Sequence, residues 1–367
     1  MNNSRGGRRS CRSLYLGIAV VLFFLLFVYT PLPQNYDDQR DALVNHVTSA
    51  ATGHKASANA SLPSLATTKS KYAYATFLAG DAHQQELADI NDDNYFVAAR
   101  ILTYQILHAP ETRSPAGIPF IVLVTKAVSE PKRHRLRLDG AIVIEAETIA
   151  KPAWVEVETS TWQDVFDKLR LWELTQFDLI TFLDGDTVLA RPLDGVFNDT
   201  AVATRKTSPD IPRPHPGLLP PMPHTYAFAS RPEMNTIHTY PPSEETHSYP
   251  NIAYLNAGFF VLRPSLDLLA YYLALLQLPD SFVPTLPEQN LLNEVHNWAG
   301  AMPWQTLGTE WNIHYPTKED LDGGVASLHE KWWAPGDSEG LGRYLRGWRW
   351  RMEGFYQGRE GGGKGHQ

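Results

Sequence analysis

Leu179-Ile180-Thr181-Phe182-Leu183-Asp184-Gly185-Asp186-Thr187-Val188-Leu189 is the stretch that decides the fold class. A short continuous apolar run rich in β-branched and aromatic residues reads as a strand buried on both faces. Acids at the carboxyl end of such a strand fall in the crevice where open α/β sheets bind ligands. Two carboxylates there offer hard oxygen ligands for Mg²⁺ or Mn²⁺, ions that bridge protein acids to phosphates. Asp-Gly-Asp is also a common turn, so the pattern takes its meaning from the rest of the chain.

Working outward, strands alternate with helical patterns. Tyr72–Leu78, Ile118–Thr125, Ala141–Glu145 and Phe259–Leu262 read as further strands. Tyr95–His108, Trp162–Thr175, Leu266–Gln277 and Glu288–Trp298 have helical spacing of apolar residues. That alternation predicts an α/β fold with a mixed, mainly parallel sheet and helices on both faces. Residues 208–250 hold 11 of the chain's 27 prolines and predict an irregular insert, of the kind that covers an acceptor. The Gly-rich end, 356–367, reads as a flexible tail.

The N-terminus is a separate object. Leu14–Tyr29 is an uncharged apolar run of 16 residues, closed by Pro31 and Pro33. As a helix it spans about 24 Å, short against a hydrocarbon core of about 30 Å and suited to thin early secretory membranes. Arg5, Arg8, Arg9 and Arg12 precede it and no acid does; taking this +4 from the net −8 leaves −12 for the remainder. Positive residues stay cytosolic. The expected layout is a cytosolic tail (1–13), a signal anchor (14–30), a stem (31–70) and a luminal domain (71–355), the topology of a type II protein of the Golgi membrane. Two glycosylation sequons, at Asn59 and Asn198, would face the lumen. Cys11 is the single cysteine, so the domain must be stable without disulfides. The acidic balance argues against nucleic acid as a partner.

Five motifs in order carry a broader resemblance. They are Asp167 to Phe177 (DKLRLWELTQF), Asp184-Gly185-Asp186-Thr187, Asn256-Ala257-Gly258-Phe259-Phe260-Val261, Pro287-Glu288-Gln289-Asn290-Leu291-Leu292 and His329-Glu330-Lys331-Trp332. Residues 72 to about 333 thereby resemble the glycogenin-like glycosyltransferases, family 8 of the sugar-nucleotide enzymes, whose fold is the Rossmann-like GT-A. With the anchor, the pattern looks most like the fungal Golgi N-acetylglucosaminyltransferases of that family.

The resemblance implies a UDP-sugar donor, a glycan acceptor, Mn²⁺ as cofactor (Mg²⁺ as the alternative) and retention of anomeric configuration. It implies metal ligation by Asp184, Asp186 and His329, two oxygens and one imidazole, a set suited to Mn²⁺. Thr76, Leu78 and Tyr95 match the segment that contacts uridine. Lys168 and Lys331 are candidate clamps on the diphosphate, although Lys331 follows its His more closely than in the family. Gly185 lets a ligand approach the backbone. Asn256 and Gly258 would approach the sugar and Gln289 its anomeric centre. Glu288, where relatives often have Asp, would stabilise developing positive charge or act as nucleophile.

Two rivals stand beside this reading. Leu183 to Val188 fits the hhhhDxDx[TV] signature of haloacid-dehalogenase-like phosphohydrolases, but Gly336-Asp337 lacks the following acid that such enzymes need. A catalytically inactive carbohydrate-binding protein would keep the fold and lose turnover.

Overall fold

Alternate residues of one strand sort into two hydrophobic layers. In β1 (Tyr72–Leu78), Ala73 and Ala75 face one cluster while Tyr74 and Leu78 face another. Both faces are therefore covered, as in a parallel sheet flanked by helices. The computed structural model describes residues 63–80, 89–156, 164–211, 215, 217–336 and 339–362, all within one unit, Val47–Gln367. The tail, the anchor and most of the stem, with Asn59, lie outside the described residues. Among those described, no helix is long and apolar enough to cross a membrane.

After β1 come α1 (Asn94–Leu107), β2 (Phe120–Val124), α2 (Glu130–Asp139) and β3 (Ile142–Glu145). A 3-10 segment, Val165–Glu173, leads into β4 (Leu179–Leu183), β5 (Thr187–Leu189), β6 (Arg205–Lys206), β7 (Thr225–Tyr226) and β8 (Phe228–Pro232). Then follow β9 (Leu255–Leu262), α3 (Leu266–Leu276), α4 (Pro287–Val295), β10 (Gln305–Thr306), β11 (Asn312–His314), α5 (Lys318–Asp322), β12 (Ser327–His329) and α6 (Glu339–Gly362). The main sheet has the order β10-β8-β9-β4-β1-β2-β3. Every neighbouring pair in it is parallel except those made by β9, which runs against β4 and β8. This is the mainly parallel mixed sheet that the alternation of strands and helices predicts.

Three expectations change. The Trp162–Thr175 pattern forms a 3-10 segment over its described part, because apolar spacing does not distinguish the tighter turn. The proline-rich stretch is not wholly irregular: β7 and β8 lie inside it. Pro232 is tolerated because it ends its strand. The flexible tail is helical to Gly362: Leu345, Trp348, Met352 and Tyr356 form a buried stripe against Val97, Ile101 and Tyr104 of α1. Tyr356 is 2% exposed and its hydroxyl donates to the Asp139 carbonyl. Helix α1 is buried on both sides, between the sheet and α6, which explains its apolar character all round.

Candidate active site

The reversed strand brings distant motifs together. Because β9 is antiparallel to β4, its first residues lie beside the last residues of β4, and the Asp184 amide donates to the Gly258 carbonyl at 2.8 Å. The chain then turns into β5, whose partner is β12, with Thr187 opposite His329. Two sheets thus set Asp184, Asp186 and His329 at one edge, with one ligand atom from each lying within 4.8 Å of the others. His329 Nε2 is 3.2 Å from Asp186 Oδ1 and 3.9 Å from Asp184 Oδ2.

The donor set and its surroundings fit a divalent cation. His329 is 8% exposed, and its Nε2 points at carboxylates rather than at a hydrogen-bonding carbonyl. Burial lowers its proton affinity, but Asp186 and Asp184 more than reverse this and hold it above the ordinary value. Gly258 is needed for this geometry. A Cβ there would lie 2.1 Å from His329 Cε1. An added Cβ at Gly185 would meet only ordinary contacts, Phe77 O and Tyr95 Cδ1 at 4.0 Å, so the protein alone does not demand that glycine.

Lys168 is buried. It is 5% exposed, and its ammonium lies 2.5 Å from Glu288 Oε1, 3.1 Å from Asp184 Oδ1 and 4.7 Å from the centre of the Phe182 ring. Burial alone would discharge it, yet Asp184 and Glu288 hold its pKa above the ordinary lysine value. Burial pushes the Glu288 carboxyl up against the pull of Lys168. Lys331 is exposed beside His329, and its charge reaches Asp186.

The uridine candidates divide. Tyr95 is 45% exposed, with Trp333 edge-on at 4.9 Å, and burial together with Asp186 and Asp184 pushes its hydroxyl up to about 12. Thr76 and Leu78 are 0% and 2% exposed inside the sheet layer. The Leu78 carbonyl accepts from the Thr125 amide. Asn198, the second sequon, is exposed at the end of a 3-10 turn.

Two neighbours of the cluster, Glu233 and His314, escape a reading of the sequence. Glu233 follows β8 and accepts from Asn256 Nδ2 (2.8 Å), His314 Nδ1 (2.7 Å), Gln289 Nε2 (3.3 Å) and its neighbour's amide, Met234 N (3.1 Å). Burial would raise its pKa, but His314 and Asn256 hold it down at about 2. Gln289 also donates to Tyr254 Oη (3.1 Å) and accepts from the Ala257 amide (2.8 Å), so both its amide protons are occupied. Gln289 and Asn256 are therefore locked to β9 and to Glu233 at the same edge. No motif announces Glu233 or His314; only strand register brings them here.

No family model matches the chain. The chain is 31% identical over 278 residues to uncharacterized protein C4C3.09 of Schizosaccharomyces pombe, covering 67% of this chain and 70% of that one. It is 26% identical over 273 residues to galactinol synthase 3 of Arabidopsis thaliana, covering 62% and 75%. Among solved structures, mouse xyloside xylosyltransferase 1 aligns with a TM-score of 0.43 and 12% identity, over 70% of this chain and 96% of that one. The chain belongs to one family with the fission-yeast protein C4C3.09, has galactinol synthases among its relatives and is a glycosyltransferase.

Proposed function

We propose that the chain is a retaining, Mn²⁺-dependent transferase that moves a sugar from a UDP-sugar to a glycan acceptor. The observation that carries this is the meeting of Asp184, Asp186 and His329 beside the buried Lys168–Glu288 pair. The three ligands would hold the ion, which supplies positive charge to the diphosphate as it departs. Lys168 adds a fixed cation at the same edge, preorganised by two carboxylates, where negative charge gathers on the leaving group. Tyr95 offers an exposed ring for the base. Asn256 and Gln289, held rigid by Glu233, shape the sugar side. Glu288 presents a buried carboxylate, steadied by Lys168, to positive charge developing on the sugar.

N-acetylglucosamine is the first donor sugar in this reading, from the resemblance to the fungal Golgi enzymes. Galactose is the second, favoured by the names of the galactinol synthase relatives. The charge asymmetry and the apolar run support a type II Golgi anchor with the catalytic domain in the lumen. The test is UDP release from a panel of UDP-sugars by the full chain, with and without Mn²⁺. Release by the wild type no faster than by Asp186→Ala, with every sugar, rejects the transferase reading. Digestion of residues 71–367 by protease added outside sealed vesicles rejects the luminal topology.

A further inference from the structure

A ligand histidine needs its ring held in one plane, usually by a hydrogen bond from its second nitrogen to a carboxylate or carbonyl. His329 lacks that device. Its Nδ1 is buried and has no hydrogen-bond partner among the described residues. Another contact lies against the ring. Strands β11 and β12 are parallel neighbours with His314 directly opposite His329. Directly opposite residues point to the same face of a sheet. The two imidazoles accordingly stack, with centroids 4.6 Å apart and planes 24° from parallel. Tyr315 covers the His314 ring as well, with centroids 3.7 Å apart.

We propose that the Glu233–His314 pair is a brace that sets the ring plane of His329 for metal binding. His314 is the positioning residue, and Glu233 fixes it through a hydrogen bond of 2.7 Å to Nδ1. The two sides of the slot are complementary. Gly258 leaves room where any Cβ would strike His329 at Cε1, and His314 fills the space over the ring face. The carboxylate that would ordinarily hold the ligand histidine directly holds its stacked neighbour instead. Glu233 also carries Asn256 and Gln289, so one acid ties the metal side of the site to the sugar side.

This inference rests on metal ligation by Asp184, Asp186 and His329, and one experiment separates the two. Manganese alone is titrated into the full chain, and free Mn²⁺ is read by electron paramagnetic resonance without donor or acceptor. The wild type is expected to bind. His314→Ala, which loses both the stack and the bond to Glu233, is expected to bind about tenfold more weakly or worse. His314→Phe keeps the stacked ring and loses the bond, and should fall between the two. Thermal unfolding without metal reports whether each variant is folded; if His314→Ala is not, the same comparison is made with His314→Phe. Wild-type affinity in the folded variants overturns the brace and leaves metal ligation intact. Absence of binding by the wild type overturns both.

Discussion

Two of the ionic clusters among the described residues are built differently. Between α1 and α2, Asp139 takes Arg100 at 2.7 Å through one oxygen and Arg135 at 2.5 Å through the other, while Arg135 also reaches Glu360. Two cations face two acids, and the buried carboxylate of Asp139 is bonded on both oxygens. At the carboxyl edge of β4, Lys168 faces Asp184 and Glu288, with Asp186 and Glu233 close by. Acids outnumber permanent cations there, and a buried imidazole nitrogen is left over. The first cluster is closed on itself. The second is incomplete, and strongly perturbed groups in such surroundings mark sites of chemistry rather than of support.

The largest test breaks the incomplete cluster. Asp186→Ala should lower the rate of sugar transfer by about a thousandfold or more, since it removes a ligand at the leaving group. Burial would raise the Asp186 carboxyl, but His329 and Lys331 hold it down at about 2, so the substitution should also lower the melting temperature somewhat at neutral pH. Loss of stability with turnover per folded molecule unchanged would show that the cluster is held for structure. The closed cluster should behave in the opposite way. Asp139→Ala removes the carboxylate partner of buried Arg100 and half-buried Arg135 and should cost about 3–5 kcal/mol in denaturant unfolding. Turnover per folded molecule should stay near wild type at low temperature.

His296 belongs to neither cluster and sharpens the contrast. It accepts from Tyr272 Oη at 2.5 Å and donates through Nδ1 to the Met302 carbonyl at 2.7 Å, a fully paired neutral ring. Burial pushes its pKa down from 6.5 to about 4. In that window the unfolded chain holds a proton that the folded chain does not. Stability is therefore full above pH 6.5 and falls as the solution is acidified toward pH 4, by about 3 kcal/mol over the whole range. Urea midpoints for wild type and His296→Gln, measured between pH 7 and pH 4, should converge; parallel curves would reject the assignment. The smallest effect is expected from Gly258→Ala. It should displace His329 and weaken Mn²⁺ binding by about ten- to a hundredfold, with little change in unfolding if β9 shifts to make room. Unchanged manganese affinity would mean that His329 is not held in a tight slot.

How much of this was legible depended on whether the cause was local. Strands β1, β2 and β4 announce themselves as apolar runs because they are buried on both faces, while β3, at the sheet edge, is only half-buried. Asp184 and Asp186 are readable because they end one of them. Strand β8 is not, since buried Ser230 and Arg231 interrupt its apolar pattern. Arg231 is tolerated there through the Leu307 carbonyl and the Tyr249 hydroxyl, partners that lie 76 and 18 residues away. Helix α6 is disguised by its glycines. The burial of Thr76 depends on layers contributed by other segments. Glu233 and His314 reach the site only through pairings whose register the sequence does not print.

The single reversed strand also sets a schedule for synthesis. β4 is finished at Leu183, but its neighbour on the open side is complete only at Leu262. At about 5–20 residues per second, translation of the intervening stretch leaves that edge unpaired for on the order of 4–16 s. An unpaired hydrophobic edge invites wrong partners. His329 arrives later still, on a strand that needs β5 already in place. A nascent chain therefore has no complete catalytic edge until nearly all of the domain has emerged, and its period of greatest exposure to aggregation closes before its capacity for catalysis opens.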